Sequence, residues 1–225
     1  MKIGHSKKAA QNQQYEDYWK LTVEYSDING SQFKDTLSII IKYIDLHPEL
    51  QNSELSSKEI SAKYKELQKR IYSVYPKKDM ASTRKSINQM VKLGFVEPFL
   101  KGYHRLTKKF LNANNNDKRA LIFSEIFYKS ANFQSSVTRD ESDVRQINFF
   151  LMTLMYHPEK RFNRDEIVAL MSTDIKSYSR GYLTYDELKS KVTFAKVIDF
   201  QGRKYNQIAY FFNFLQYVPG ISVSK

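Results

Sequence analysis

The chain contains no cysteine, so disulfides, cysteine nucleophiles and every thiolate zinc site are excluded, zinc fingers among them. Glycine and proline are scarce, seven and five in 225 residues, which points to helices with few elaborate loops. Long apolar runs are missing as well: nothing approaches the roughly 20 residues that cross a bilayer. There is no lipidation motif and no basic amphipathic helix with an unpaired greasy side, so membrane binding is not expected. The start, MKIGHSKKAAQNQQ, lacks the apolar stretch of a secretory signal. Together these absences lead us to expect a cytoplasmic protein.

Chemistry is equally sparse. The sequence has no glycine-rich phosphate loop, no G-x-S-x-G elbow and no H-E-x-x-H. His5, His47, His104 and His157 are too scattered to suggest a metal cluster. Two tripeptides, Asp174-Ile175-Lys176 and Glu187-Leu188-Lys189, have the acid-x-lysine form of a Mg²⁺ nuclease. The second lies in a capped helix start, whereas that metal arrangement needs a strand. No catalytic residue, metal or cofactor is therefore expected within this chain.

What the sequence does have is positive charge and aromatic bulk. The net charge is +12, which favours a phosphate-bearing partner. With 41% apolar residues, 16 Tyr and 15 Phe, the chain has enough surface to bury against the entropy of ordering. The charge is not spread evenly. Lys58 to Phe110 holds fourteen Lys and Arg against four Asp and Glu, so most of the excess sits there.

Within that region, Lys77 to Lys109 reads as a helix followed by a β-wing. Met80, Ile87, Met90, Val91 and Leu93 recur at helical intervals, Asp79 is a candidate N-cap, and Gly94 suits a left-handed helix end. The polar positions are Ser82, Thr83, Arg84, Lys85, Asn88, Gln89 and Lys92. Arg can bond guanine at two acceptors, Asn and Gln can pair with adenine, and hydroxyls and ammonium groups can hold phosphates. On this reading Arg84, Lys85, Asn88 and Gln89 face base edges, while Ser82, Thr83 and Lys92 hold the backbone. Phe95 to Leu100, a turn at Lys101-Gly102, and Tyr103-His104-Arg105-Leu106-Thr107 then make two short strands, adding Lys101, Tyr103, His104 and Arg105 to the expected contacts.

Upstream, residues 14–26 read as a helix seated by Trp19, and 32–46 as a strongly apolar helix stopped at His47-Pro48. Ser56 to Glu59 carries capping chemistry for a third, running to Tyr72. Downstream, Asn112 to Asn116 is a polar break, followed by helices over 117–131 and 139–156, the latter stopped at His157-Pro158. Asn163 to Glu166 resembles Ser56 to Glu59, so the helical scaffold repeats. In this second copy 185–192 takes the third-helix position and Val197 to Phe212 the hairpin, with Lys189, Arg203 and Lys204 as candidate backbone contacts. The aromatic segment from Tyr205 to Val218 reads as core.

The expected class is mainly α with short β-hairpins, built as tandem winged-helix or helix-turn-helix modules. We divide it into an arm and helix at 1–31, a winged-helix module at 32–111 and a second winged-helix-like module at 112–225. Ser82-Thr83-Arg84, Gly94-Phe95 and Arg105-Leu106-Thr107 resemble a winged-helix segment in the N-terminal recognition region of AlwI-type restriction and nicking endonucleases. That resemblance implies sequence-specific binding of double-stranded DNA, as the recognition part of a restriction endonuclease. It also implies that a separate nuclease domain or subunit carries the Mg²⁺. These 225 residues hold no recognisable active site, so cleavage is expected elsewhere. A winged-helix transcriptional regulator or plasmid replication initiator is the alternative.

Overall fold

Residues 19, 21, 23–51, 55–76, 79–197 and 206–224 are described by a computed structural model, and within them the chain is mainly helical. No helix among them is long and apolar enough to cross a membrane. By contact they fall into two compact units. The larger gathers 21–145 with 210–224, and the smaller Trp19 with 146–197 and 206–209.

In the larger unit α1 (Ser31–Leu46) forms where Phe33, Leu37, Ile40, Ile41 and Ile44 repeat on one stripe, all buried. It stops at His47, before Pro48. α2 (Ser57–Val74) opens with a full capping box: Ser56 Oγ accepts from the Glu59 amide, and the Glu59 carboxylate accepts from the Ser56 amide. Asp79 caps a 3-10 turn, Met80–Ser82, by accepting from the Ser82 amide at 2.7 Å, and α3 (Thr83–Lys92) follows directly. Gly94 ends that segment at φ 86°, and a Cβ there would stand 2.6 Å from the Ser130 Cβ, so glycine meets a demand of both backbone and space.

The expected two-stranded wing is smaller than the pattern suggests. Val96 and Tyr103 form one isolated antiparallel bridge, closed by Glu97 N donating to Gly102 O and His104 N to Phe95 O, each at 2.9 Å. Pro98–Leu100 between them is a 3-10 turn rather than strand. The only other bridge among the described residues joins Ser136 and Arg139. α4 (Thr107–Leu111) and α5 (Asn116–Ser130) come next. The polar break at 112–116 lies inside this unit, because buried Arg119 pins it: its guanidinium donates to Ala113 O at 2.5 Å and to Asn29 Oδ1 at 3.0 Å. The core is a run of aromatic rings, Phe110, Phe33, Phe95, Phe123, Phe127 and Phe133, each within about 6 Å of the next. Phe211 and Phe214 close it against Phe133, Phe123 and Phe127, as the aromatic density of that segment predicts.

The smaller unit holds α6 (Gln146–Tyr156), α7 (Arg164–Met171) and α8 (Tyr185–Val197). α6 starts seven residues later than the expected 139, since 139–145 is taken up by the Ser136–Arg139 bridge and turns. Its repeat feature is present: α7 opens on the capping box Asn163–Glu166, as α2 opens on Ser56–Glu59. Trp19 is buried here and donates its amide to Met171 O at 2.8 Å.

Two further expectations fail on the described residues. Residues 23–26 are not helical, because the Gln89 side chain takes the place of a helical partner, as set out below. Asn206–Leu215 is a helix, α9, where a hairpin was expected from 197 to 212. Residues 198–205, with Arg203 and Lys204, lie outside the described residues.

Candidate nucleic-acid interface

α3 turns far more of itself inward than an amphipathic helix needs to. Ile87, Met90 and Val91 meet the core, as the apolar spacing predicts. Gln89 and Lys92, expected to face a DNA groove, are buried instead. Gln89 Oε1 accepts from the amides of Glu24 at 2.7 Å and Tyr25 at 2.9 Å, and its Nε2 donates to Tyr25 O at 2.6 Å. A primary amide has one acceptor and two donors at one end, which matches a peptide edge as well as it matches adenine. Here the peptide edge holds it. Ser86 and Thr36 complete the seam, both donating to the Tyr25 hydroxyl at 3.2 Å.

Lys92 is 5% exposed and its ammonium donates to Phe133 O at 2.7 Å. Thr83 is wholly buried, with Oγ1 donating to Met80 O at 2.6 Å. Asn88 is half-buried, and its Oδ1 accepts from the Val137 amide at 3.2 Å. Gln89, Lys92 and Asn88 therefore hold α3 to residues 24–25, 133 and 137, and Thr83 holds it to the turn before it, rather than standing open to a ligand. Only Arg84 and Lys85 are exposed on α3, with half-buried Ser82 beside them. Neither Arg84 nor Lys85 forms an ion pair among the described residues.

The bridged turn contributes less than expected. Tyr103 donates its hydroxyl to Asp45 Oδ1 at 2.7 Å, which leaves it holding α1. His104 is half-buried, its Nδ1 accepts from the Leu106 amide, and burial together with neighbouring Arg105 pushes its pKa down. Its ring is thus neutral at pH 7, with Nδ1 taken up inside the turn. Lys101 and Arg105 are exposed. The Lys101 ammonium stands 5.5 Å from the Phe99 ring, and Arg105 lies 3.5 Å from Glu125. Phe99 and Leu100 both take left-handed backbone, φ 61° and 58°, held by Phe99 N donating to Val137 O at 2.6 Å. Non-glycine residues there cost about 1–3 kcal/mol each and persist only where their surroundings impose them.

In the smaller unit Lys189 is exposed with its ammonium 4.3 Å from the Tyr185 ring. It lines a cavity of about 570 Å³ with His157, Glu166 and Arg161. His157 is buried and both ring nitrogens are engaged: Nδ1 accepts from the Glu159 amide, so Nε2 carries the proton and faces Glu166 Oε1 at 3.3 Å. It is a helix-end residue, as its position before proline suggests. The two nuclease-like acids also have local partners. Asp174 accepts from the Lys176 amide and Ser177 hydroxyl, and Glu187 from Thr184 and Arg180.

One set of cations was not singled out from the sequence. Lys58, Lys65 and Lys69 are all exposed on α2. Their spacing of seven and four, the signal of a single helix face, was legible but overshadowed by the richer polar pattern of α3. No family model, curated protein or solved structure matches the chain.

Proposed function

We propose that this chain binds double-stranded DNA in a sequence-dependent way, with α3 entering the major groove by its first turn. The observation that carries the reading is that α3 buries its length and leaves Arg84 and Lys85 exposed and, among the described residues, without ion pairs. Recognition helices read base edges from their N-terminal residues, and the positive end of the helix dipole lies there too. Arg84 is the base reader in this scheme, through two bonds to guanine. Lys85, Ser82, Lys101 and Arg105 hold phosphates. Of the residues that carry the likeness to AlwI-type enzymes, Ser82, Arg84 and Arg105 take these contacts, and others have scaffold roles. Gly94 ends the helix, Phe95 is in the core, and Thr107 Oγ1 donates to Phe95 O at 3.0 Å. The likeness thus supports a winged-helix-like module, and with it a part in target recognition for a restriction endonuclease whose cutting is done by another domain or subunit.

The reading is tested by incubating the chain with a randomised duplex library at low salt with Mg²⁺, sequencing what it retains, and checking the same DNA for cuts. An enriched, uncut motif is expected. Arg84→Ala should relax one position of that motif, a loss of about 1–3 kcal/mol for a bidentate contact. Binding of every sequence alike by parent and variant would sink the base-reading role. The paired capping boxes of the two units favour a second reading, a transcriptional regulator or replication initiator with two modules. It predicts a palindrome or direct repeat in the enriched motif, where the recognition part of an endonuclease predicts an asymmetric site.

A further inference from the structure

α2 sorts its charges by direction. With about 100° between successive residues, Lys58, Lys65 and Lys69 lie within roughly 40° of one another on the outward crest of the helix. They extend about 16 Å along it, eleven residues at 1.5 Å each. All three are exposed and none forms an ion pair among the described residues. The acids of α2 lie elsewhere. Glu66 is on the flank turned toward the end of α1, where it accepts from Tyr43 at 3.0 Å and pairs with Arg70 at 2.8 Å. Lys63 on the same flank pairs with Glu49 at 2.7 Å, and His47 is 2.9 Å from the same carboxylate. That corner neutralises itself.

The opposite flank of α2 meets the start of α3. Tyr64 donates its hydroxyl to Arg84 O at 3.2 Å, and Gln68 donates to Met80 O at 3.5 Å. Tyr64 and Gln68 are buried in making this joint, so the lysine crest of α2 and the exposed first turn of α3 are fixed parts of one surface. Five cations with no acid partner among the described residues stand on it: Lys58, Lys65, Lys69, Arg84 and Lys85. A face kept merely soluble would mix signs, as the α1 corner does.

We infer that the crest of α2 is a phosphate-binding ridge that lies against the DNA backbone while α3 occupies the groove. The inference rests on the DNA reading above and adds to it a division of labour: α3 selects sequence, and α2 supplies salt-dependent affinity with no sequence preference. Lysine suits that task, being a flexible point charge without the planar fork that reads guanine.

The test compares the parent with a Lys58→Gln, Lys65→Gln, Lys69→Gln triple variant, on an enriched and a scrambled duplex, by anisotropy from 50 to 200 mM salt. Each phosphate contact contributes about 0.9 to the slope of log affinity against log salt. Losing three makes the slope shallower by about 2.7, so the affinity lost across that salt range shrinks about 40-fold. The change should be equal on both duplexes, with the preference between them kept. Glutamine preserves helix propensity, so the thermal midpoint should not move. A Lys42→Gln, Lys118→Gln variant, exposed lysines away from α2, should leave the slope nearly as in the parent. An unchanged slope in the triple variant overturns the ridge. So does an equal change per lysine in the control, which would mark an effect of net charge alone. If the parent binds no duplex at 50 mM salt, the DNA reading falls, and the ridge with it.

Discussion

Gln89 and Arg84 are five residues apart on one helix and have opposite fates. Gln89, itself wholly buried, makes three hydrogen bonds to the backbone of residues 24 and 25. Replacing it with methionine, close in volume but without the amide, removes all three from an interior that water does not reach. We expect a stability loss of about 2–3 kcal/mol by denaturant unfolding. In the proposed function the same variant keeps the DNA preference of the parent once folded. Arg84→Ala should behave in the reverse way, within about 0.5 kcal/mol of parental stability and altered only in binding. A methionine variant of Gln89 with unchanged stability would show that the seam contributes nothing.

At the scale of elements, the junctions carry the most specific demands. Gly94 joins α3 to the bridged turn where the chain runs against Ser130 of α5. A Gly94→Ala variant must accept both a positive φ and a Cβ 2.7 Å from the Ser130 carbonyl carbon, which is backbone and does not yield cheaply. The expected cost is about 2 kcal/mol or more, read as a lower unfolding midpoint with the helix content of the folded state kept.

The corner between α1 and α2 makes a different prediction. The Lys63 ammonium, the backbone of Glu49 itself and His47 hold the Glu49 carboxyl down at about 2. A carboxyl depressed in the folded state stabilises it above the unfolded pKa near 4.5, and this contribution is lost as pH falls from there toward 2. Stability of the parent should therefore fall more steeply over that window than stability of Glu49→Gln. Parallel curves would show that the corner does not tighten on folding.

These element-level features differ in how far the sequence discloses them. The apolar stripes of α1 and α3, the capping boxes of α2 and α7 and the left-handed glycine after α3 are written in local residue order. They are local physics: a stripe, a hydroxyl or amide three residues before a glutamate, a residue without a Cβ. The burial of Gln89, Lys92, Asn88 and Thr83 is not written there. Polar residues at helical spacing look alike whether water, DNA or another stretch of the same chain covers them. For Gln89, Lys92 and Asn88, residues 24–25 and 133–137, 64 and 41 or more positions away, make that choice.

On the scale of the whole molecule, the excess of +12 is a bulk property, and the structure gives it direction. Some cations are neutralised in pairs, Lys63 with Glu49, Arg70 with Glu66 and Lys108 with Asp45. Others are buried, as Lys92 and Arg119 are. What remains exposed on α2 and the first turn of α3 is a smaller and more ordered set than the sequence count implies, and the proposed DNA contact rests on that set.

By itself, the sequence determined that the described protein is mainly helical, that two helices follow His-Pro stops and open with capping boxes, and that charge collects between Lys58 and Phe110. Each of these depends on neighbours within one or two helical turns or on composition. Tertiary structure alone decided which polar side chains of α3 stay exposed, that a single bridge stands where a hairpin was expected, and that the break at 112–116 lies within a unit. The reason is physical. Hydrogen-bonding groups take whichever partner packing brings within 3 Å, and packing is set by contacts between residues far apart in the chain.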